Sequence, residues 1–347
     1  MQPLPDILTD PVGLKPPYYI RLDKFFISLI RDERDLPFIY FTVSIILFLI
    51  PYATLLFSRM WVGSNWLIAA IFYMLLNAAF FIGRFSLMFH CTAHRTLFKK
   101  QYNYLNYLLP YVIAPFFGHM ADTYYAHHIG MHHPENNLKD DESSTMSYQR
   151  DSLKNFLLYL SKFLVRGLWD LAFYFKKKNR KNLMYSALRG EILFIVLCSV
   201  LCCFNWKATL CVFIFPYFFY RMIAMLGNWA QHAFIDRADP GNAYKNSMNC
   251  INSKYNWICW NDGYHISHHL KQTMHWSEHP AYFQKTIDKY IDNNAVVFSK
   301  IDIMMVAMLL LAKRYDLLAK NFVNIGNRFT SEETVIAFLK ERTARFS

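Results

Sequence analysis

The chain has 347 residues, 54% hydrophobic and 18% aromatic, with 37 Lys+Arg against 25 Asp+Glu and a formal net charge of +12. That much apolar and aromatic side chain excludes a disordered chain, and seven Cys over this length do not make a disulfide scaffold. A charged fraction of 18%, below the roughly 25% usual in soluble domains, points to a membrane.

Residues 1–35 are Pro-rich and acidic in places, without a charged-then-apolar leader pattern, and are expected to form an arm. Residues 36–57 hold no charge and would be about 33 Å long as a helix at ~1.5 Å per residue, enough to cross a bilayer. A second apolar run, 65–90, is interrupted only by Arg84. A third, 191–205, is short and borrows residues before it, giving a span of about 186–205. A fourth, 208–228, contains Arg221. Charges inside a span are costly, so Arg84 and Arg221 are expected to hold a lipid headgroup or phosphate, or to snorkel. Ala69, Ala70, Ala78, Ala79 and Gly83 make the second helix thin enough for an acyl channel or for close helix packing.

Short connections at 58–64 and 205–207 pair the runs into two hairpins, with Trp61, Trp66 and Trp206 where interfacial aromatics belong. Every longer segment then falls on one side. That side carries Arg31, Arg34, Arg95, Lys99, Lys100 and the basic stretch 176–181, whereas the turns carry Arg59 and Lys207. By the positive-inside rule it is cytoplasmic, and the net charge reads as an orientation signal rather than a nucleic-acid footprint.

Residues 104–120 contain two Pro and must return to the side they left, which suggests a shallow re-entrant excursion. Residues 151–178 mix Phe, Leu and Trp with Lys and Arg, as a helix lying along a leaflet does. Residues 303–312 are too short to span and read as buried or re-entrant. The expected architecture is therefore an all-α integral membrane protein with four transmembrane helices in two hairpins. A cytoplasmic helical cap is drawn from 91–185 and 229–347, with the arm at 1–35.

All thirteen His lie between positions 90 and 279. They fall into His90-Cys-Thr-Ala-His94, His127-His128-Ile-Gly-Met-His132-His133 and His265-Ile-Ser-His268-His269, with Asn228-Trp-Ala-Gln-His232 after the fourth run. Residues three and four apart share one helix face, so each cluster aims two or more imidazoles together. Imidazole suits Zn, Cu, Fe and Ni, and eight or nine convergent rings exceed the needs of one ion. Two metals just below the membrane surface are the economical reading.

A metal-bound imidazole usually donates its other N–H to an acceptor. Asp262 before His265, Asp236 after His232, Glu135 after His133 and Asp122 before the middle cluster are the candidates. His275 and His279 read as loop residues beside the site, and His119 as a structural group.

The three clusters resemble the histidine boxes of the membrane fatty-acid desaturase superfamily, over roughly 90–269. The resemblance implies two irons ligated by His90, His94, His128, His132, His133, His265, His268 and His269. His232 and Asn228 are similar to the Asn-x3-His element of acyl desaturases and alkane hydroxylases, in which the Asn often reaches metal through water. The middle box has three residues between His128 and the His pair, where acyl-CoA desaturases usually have two. His127 competes with His128 for the first position, but five residues before His132 it should face another way on an α-helix.

No HExxH, GxSxG or phosphate-cradling glycine loop is present to support hydrolysis. Two redox metals at a membrane boundary suit oxygen-dependent attack on an unactivated alkyl chain. The resemblance implies O2 as co-substrate and desaturation of a lipid- or CoA-linked fatty acyl chain. An acyl or alkane hydroxylase is the alternative, and a non-catalytic metal-binding protein a weaker one. No Rossmann fingerprint or His-Pro-Gly-Gly stretch appears, so electrons should come from cytochrome b5 or a ferredoxin-type carrier. The expected location is the endoplasmic reticulum membrane in a eukaryote or the inner membrane in a bacterium.

Overall fold

The computed structural model describes residues 1–5, 7–13, 19–58 and 65–346. Arg59, Trp61 and most of the 58–64 connection lie outside the described residues. In chain order the main elements are α1 (Arg21–Leu29), α2 (Glu33–Phe57), α3 (Trp66–His94), α4 (121–135), α5 (Leu153–Lys177) and α6 (Lys181–Gln231). They continue with β1 (Met248–Ile251), α7 (His265–Leu270), β2 (Val296–Ser299), α8 (Ile303–Leu311), α9 (Tyr315–Asn321) and α10 (Glu332–Arg342). The protein is mostly helical. The all-α expectation needs one correction, because β1 and β2 pair in parallel with Met248 opposite Val296 and Ile251 opposite Ser299. Both strands are buried at every position, so they show none of the alternation that marks a half-exposed strand.

The chain divides into two compact units. A span unit comprises Gly13–Ala126 and Lys181–Met222, and a histidine unit comprises Met1–Val12, His127–Arg180 and Ile223–Ser347. The expected arm is thus split, its first twelve residues belonging to the histidine unit.

Among the described residues three helices, α2, α3 and α6, are long and apolar enough to cross a membrane. In the span unit α2 and α3 run antiparallel. The Tyr52 hydroxyl donates to Ala69 O at 2.7 Å, Trp66 Nε1 donates to Leu56 O at 3.0 Å, and Phe41 stacks on Phe81. Helix α6 runs for 51 residues, but Asn205 is extended at φ −158° and ψ 92° and divides it into two limbs. Asn205 Oδ1 accepts from Ala208 N at 3.1 Å, capping the start of the second limb as an N-cap amide should. The limbs fold back on each other, for Glu191 accepts from the Tyr217 hydroxyl at 2.6 Å and from Arg221 Nη2 at 2.7 Å.

Arg221, expected to hold a headgroup or to snorkel, therefore has a carboxylate partner inside the unit. Its guanidinium also lies 3.4 Å from the Tyr217 ring centroid and donates to Gly118 O at 3.1 Å. Gly118 adopts φ +73°, and a Cβ there would sit 2.4 Å from Tyr217 Cα, so the chain before it can approach α6 this closely only through glycine. That preceding stretch is broken into 3-10 and π turns (Lys100–Tyr107, Leu108–Ile113 and Ala114–Phe117). His119 is buried, with Nε2 2.8 Å from Ser86 Oγ and its ring 3.6 Å from that of Tyr220. Arg84 lies over the Phe41 ring.

In the histidine unit the apolar stretch at 303–312 forms a helix buried along one face, with Met305 and Met308 exposed. Val306, Ala307 and Leu310 of α8 pack with Phe298 of β2, Leu318 of α9 and Leu339 of α10. Asp302 starts α8 by accepting from Met305 N. Helix α5 buries Phe156, Tyr159, Leu171 and Phe175 on one face. Its other face exposes Leu157, Val165 (82% exposed) and Trp169 (62%), with the cations Lys162 and Arg166 alongside. This is the pattern of an interfacial helix.

Candidate metal centre

The middle box is not plain α-helix. From His128 to His132 the backbone is π-helical, and His133 N–H donates to His128 C=O to close the turn. The wider turn brings residues five apart onto one face. His128 Nε2 and His133 Nε2 are consequently 3.1 Å apart, while His132 projects elsewhere. The same geometry stacks His127 parallel to His132, ring centroids 6.5 Å apart, which α-helical spacing had argued against. His127 also meets Phe163 edge-on.

Helix α7 carries the third box. His265 and His269, one turn apart, bring their Nε2 atoms to 3.0 Å. His268 turns away and sets its Nε2 3.1 Å from that of His133. His232 follows the last residue of α6, and its Nε2 lies 3.2 Å from His265 Nε2. Two groups result within the histidine unit. In one, His132, His232, His265 and His269 offer ligand atoms within 4.8 Å of one another. The other contains His128, His133 and His268. The groups adjoin, with the His133 and His269 ring centroids 5.1 Å apart. Each His-His dipeptide, 132–133 and 268–269, is divided between them. In the span unit His90 and His94 stand one turn apart near the end of α3, ring centroids 5.1 Å apart.

Two of the rings have their outer nitrogens engaged. His132 Nδ1 donates to Asp141 Oδ2 at 2.7 Å, and His232 Nδ1 donates to Asn246 O at 2.9 Å. Asp141 also accepts from Ser143 N, Ser143 Oγ and Asn137 N. Burial acts to raise its carboxyl, but the His132 imidazole and the Ser143 hydroxyl overcome this and bring it down to about 2. Burial, with His132 close by, lowers His232 to about 4, and burial followed by His265 pushes His269 well below the usual imidazole range. With Nδ1–H donated outward, the Nε2 atoms of His132 and His232 present bare lone pairs to one small volume. Such a set is repulsive unless a cation occupies it, and imidazole nitrogens suit a transition metal. The residues fit a metal on that ground.

The Asp141 loop is placed by a buried network. Asn136 and Asn137, both at positive φ (48° and 59°), reverse the chain after α4, a conformation Asn tolerates. Asn137 Nδ2 donates to Asn246 Oδ1 at 3.0 Å, and the Thr145 hydroxyl donates to His232 O at 2.8 Å.

The four carboxylates expected to orient imidazoles pair elsewhere. Asp262 accepts from Gln231 Nε2 and the Tyr255 hydroxyl, and Asp236 from Arg342 Nη2. Glu135 takes the Tyr174 hydroxyl and Lys178, and Asp122 takes the Tyr111 hydroxyl and Arg189. Closeness in sequence did not find the acceptors that His132 and His232 use. Asp141 and the Asn246 carbonyl do that work, and the acidic stretch 140–142 after the middle box was the available signal for the first. Asn228 uses its amide Nδ2 to bond Ser143 O at 3.0 Å and the Tyr159 hydroxyl at 2.7 Å, tying the end of α6 to that loop. His279 Nδ1 meets Ser267 Oγ at 2.7 Å behind α7, and His275 Nδ1 meets Ser277 Oγ at 2.8 Å.

The fatty acid desaturase family model matches residues 64–300. The chain belongs to the fatty acid desaturase family, a family of oxidoreductases that typically depend on metal. No curated protein and no solved structure matches it.

Proposed function

We propose that this protein desaturates fatty acyl chains in an oxygen-dependent reaction at two histidine-held irons. What supports the reading most is the convergence of His132, His232, His265 and His269, with the far nitrogens of two of them already engaged. In this reading those four hold one iron. His128, His133 and His268 serve the other, and His90 and His94 complete the ligand set, as three boxes imply. Asn228 is assigned the role of fixing the α6 terminus that carries His232, instead of a ligand role.

When bound, the irons supply the O2 chemistry that breaks an unactivated C–H bond. The chain's own residues orient and exclude. Asp141 and the Asn246 carbonyl hold two imidazoles in the tautomer that leaves Nε2 open. Buried Trp229, whose Nε1 donates to Arg150 O, packs on Tyr159 and Phe156 and keeps water from that flank. The substrate is an acyl chain entering from the bilayer, linked to lipid or CoA. Electrons come from an external carrier, cytochrome b5 or a ferredoxin-type protein, attracted by the basic face. The two limbs of α6 count as separate crossings, giving four spans in two hairpins with residues 91–185 and 229–347 on the cytoplasmic side. The membrane is that of the endoplasmic reticulum in a eukaryote or the inner membrane in a bacterium.

The three-residue spacing of the middle box, shared with alkane hydroxylases, favours hydroxylation as the second reading. The test is mass spectrometry of lipids from a host expressing wild type or His265→Ala, with iron counted in both proteins. A product lighter by two hydrogens, absent with the variant, is expected. A product heavier by one oxygen moves the reading to hydroxylation, and a purified protein without iron overturns both.

A further inference from the structure

Residues 1–12 carry no motif, yet they belong to the histidine unit. Gln2 bridges Val323, and residues 9–11 run along the loop that leads into α7. Thr9 N donates to Asn252 Oδ1 at 2.8 Å, Trp257 Nε1 donates to Thr9 O at 3.0 Å, and Asn261 Nδ2 donates to Pro11 O at 2.7 Å. Between them sits Asp10, 3% exposed. One of its oxygens accepts from Asn252 N at 2.7 Å and from the Tyr264 hydroxyl at 2.5 Å, and the other accepts from Asn256 Nδ2 at 2.9 Å. All three are neutral donors. Among the described residues no cation is paired with Asp10; a buried carboxylate so placed is costly, and simple packing does not call for one.

Tyr264 immediately precedes His265, and its side chain is fully buried. Helix α7 has six residues and no side-chain cap at its start, too few to fix its own direction. Tertiary bonds must do so. Asn249 Oδ1 accepts from Ile266 N at 2.9 Å, Asn256 Oδ1 accepts from Gly263 N at 3.0 Å, and Asp10 holds the Tyr264 hydroxyl. We propose that Asp10 is a positioning residue for the metal centre, setting through Tyr264 the direction in which His265 and His269 present Nε2. The N-terminal segment is then a strap on the third histidine box. The inference rests on the metal reading above.

The test compares wild type, Asp10→Asn, Tyr264→Phe, the double variant and Trp257→Phe, each purified as the full chain. The readouts are iron per chain, the rate of iron loss to a chelator, and the ligand-field spectrum after loading with Co(II). An amide at position 10 must turn an N–H toward one of three donors. Asp10→Asn and Tyr264→Phe should each speed iron loss about tenfold, as loss of a partner behind a ligand does, and shift the Co(II) bands. The double variant should lose iron no faster than Asp10→Asn alone, and Trp257→Phe, which cuts the strap elsewhere, should match wild type. If Asp10→Asn does not fold, Tyr264→Phe, which removes a single hydroxyl, decides. Wild type with two irons and unchanged loss in both single variants overturns this inference alone, as do independent, multiplying effects. Wild type without iron overturns the metal reading and this inference together.

Discussion

Asp141 Oδ2 accepts a hydrogen bond from His132 Nδ1 at 2.7 Å, and the carboxylate that does so is buried and served by three further donors. Asp141→Asn should weaken iron binding roughly ten- to a hundredfold while the protein still folds, as measured by metal analysis after dialysis against graded chelator. The folded carboxyl titrates at about 2, below its unfolded value of ~4. Its stabilising contribution is therefore full above ~4 and fades as the pH falls toward 2, because the unfolded chain takes up the proton first. Apoprotein unfolding curves in acid should show that loss for wild type and a flatter profile for the variant.

Gly263 lies where the loop before α7 crosses β1. A Cβ there would fall 2.2 Å from Cys250 O and 2.5 Å from Asn256 Oδ1, and the first of these is backbone that cannot swing aside. Gly263→Ala should empty the protein of iron and lower its Tm. At Gly83 an added Cβ meets nothing within 4 Å, so Gly83→Ala should leave iron content unchanged. Equal iron in the two variants would show that the loop yields.

Asp262, beside Gln231 and Tyr255, is raised by burial to about 7, with the Tyr255 hydroxyl offsetting part of the rise. The folded protein keeps a proton there that the unfolded chain releases from ~4 upward. Stability should consequently decline as the pH rises from ~4 toward 7 and carry the full cost above it. Asp262→Asn removes the cost, so its Tm should exceed that of wild type at pH 8 and converge with it toward pH 5. Parallel Tm profiles for the two proteins would contradict this.

Glu191 and Arg221 are 30 residues apart and form a 2.7 Å ion pair that is largely hidden from solvent. Removing either partner strands the other charge at a cost of about 3–5 kcal/mol, whereas removing both together is far cheaper. Glu191→Leu and Arg221→Leu should each give little monodisperse protein in detergent. The double variant should recover much of it, which size-exclusion yield and Tm will show.

The histidine boxes are legible in the sequence because every ligand candidate in them stands three to five residues from another. Their division into two groups is not, since it depends on a π-turn that nothing in His-Ile-Gly-Met-His announces. Asp141 escapes a search of near neighbours because it returns to His132 through two Asn at positive φ, while Glu135, much nearer, faces Tyr174 and Lys178. The apolar runs declare their helices, and Asn205 interrupts the longest of them where the hydropathy falls. The first twelve residues read only as part of an arm for another reason. Asp10 finds Asn252 across 242 residues of sequence, a distance at which periodicity carries no signal.

His132 and His133 are chain neighbours serving different groups, and so are His268 and His269. The gap between the two clusters is therefore bridged twice by a single peptide link, whose Cα–Cα length is fixed at about 3.8 Å. Loops that breathe around such a frame carry both halves along together. Spacing that other proteins must defend through side-chain packing is here a covalent dimension, and a one-residue insertion between either pair would alter it more than any cavity nearby.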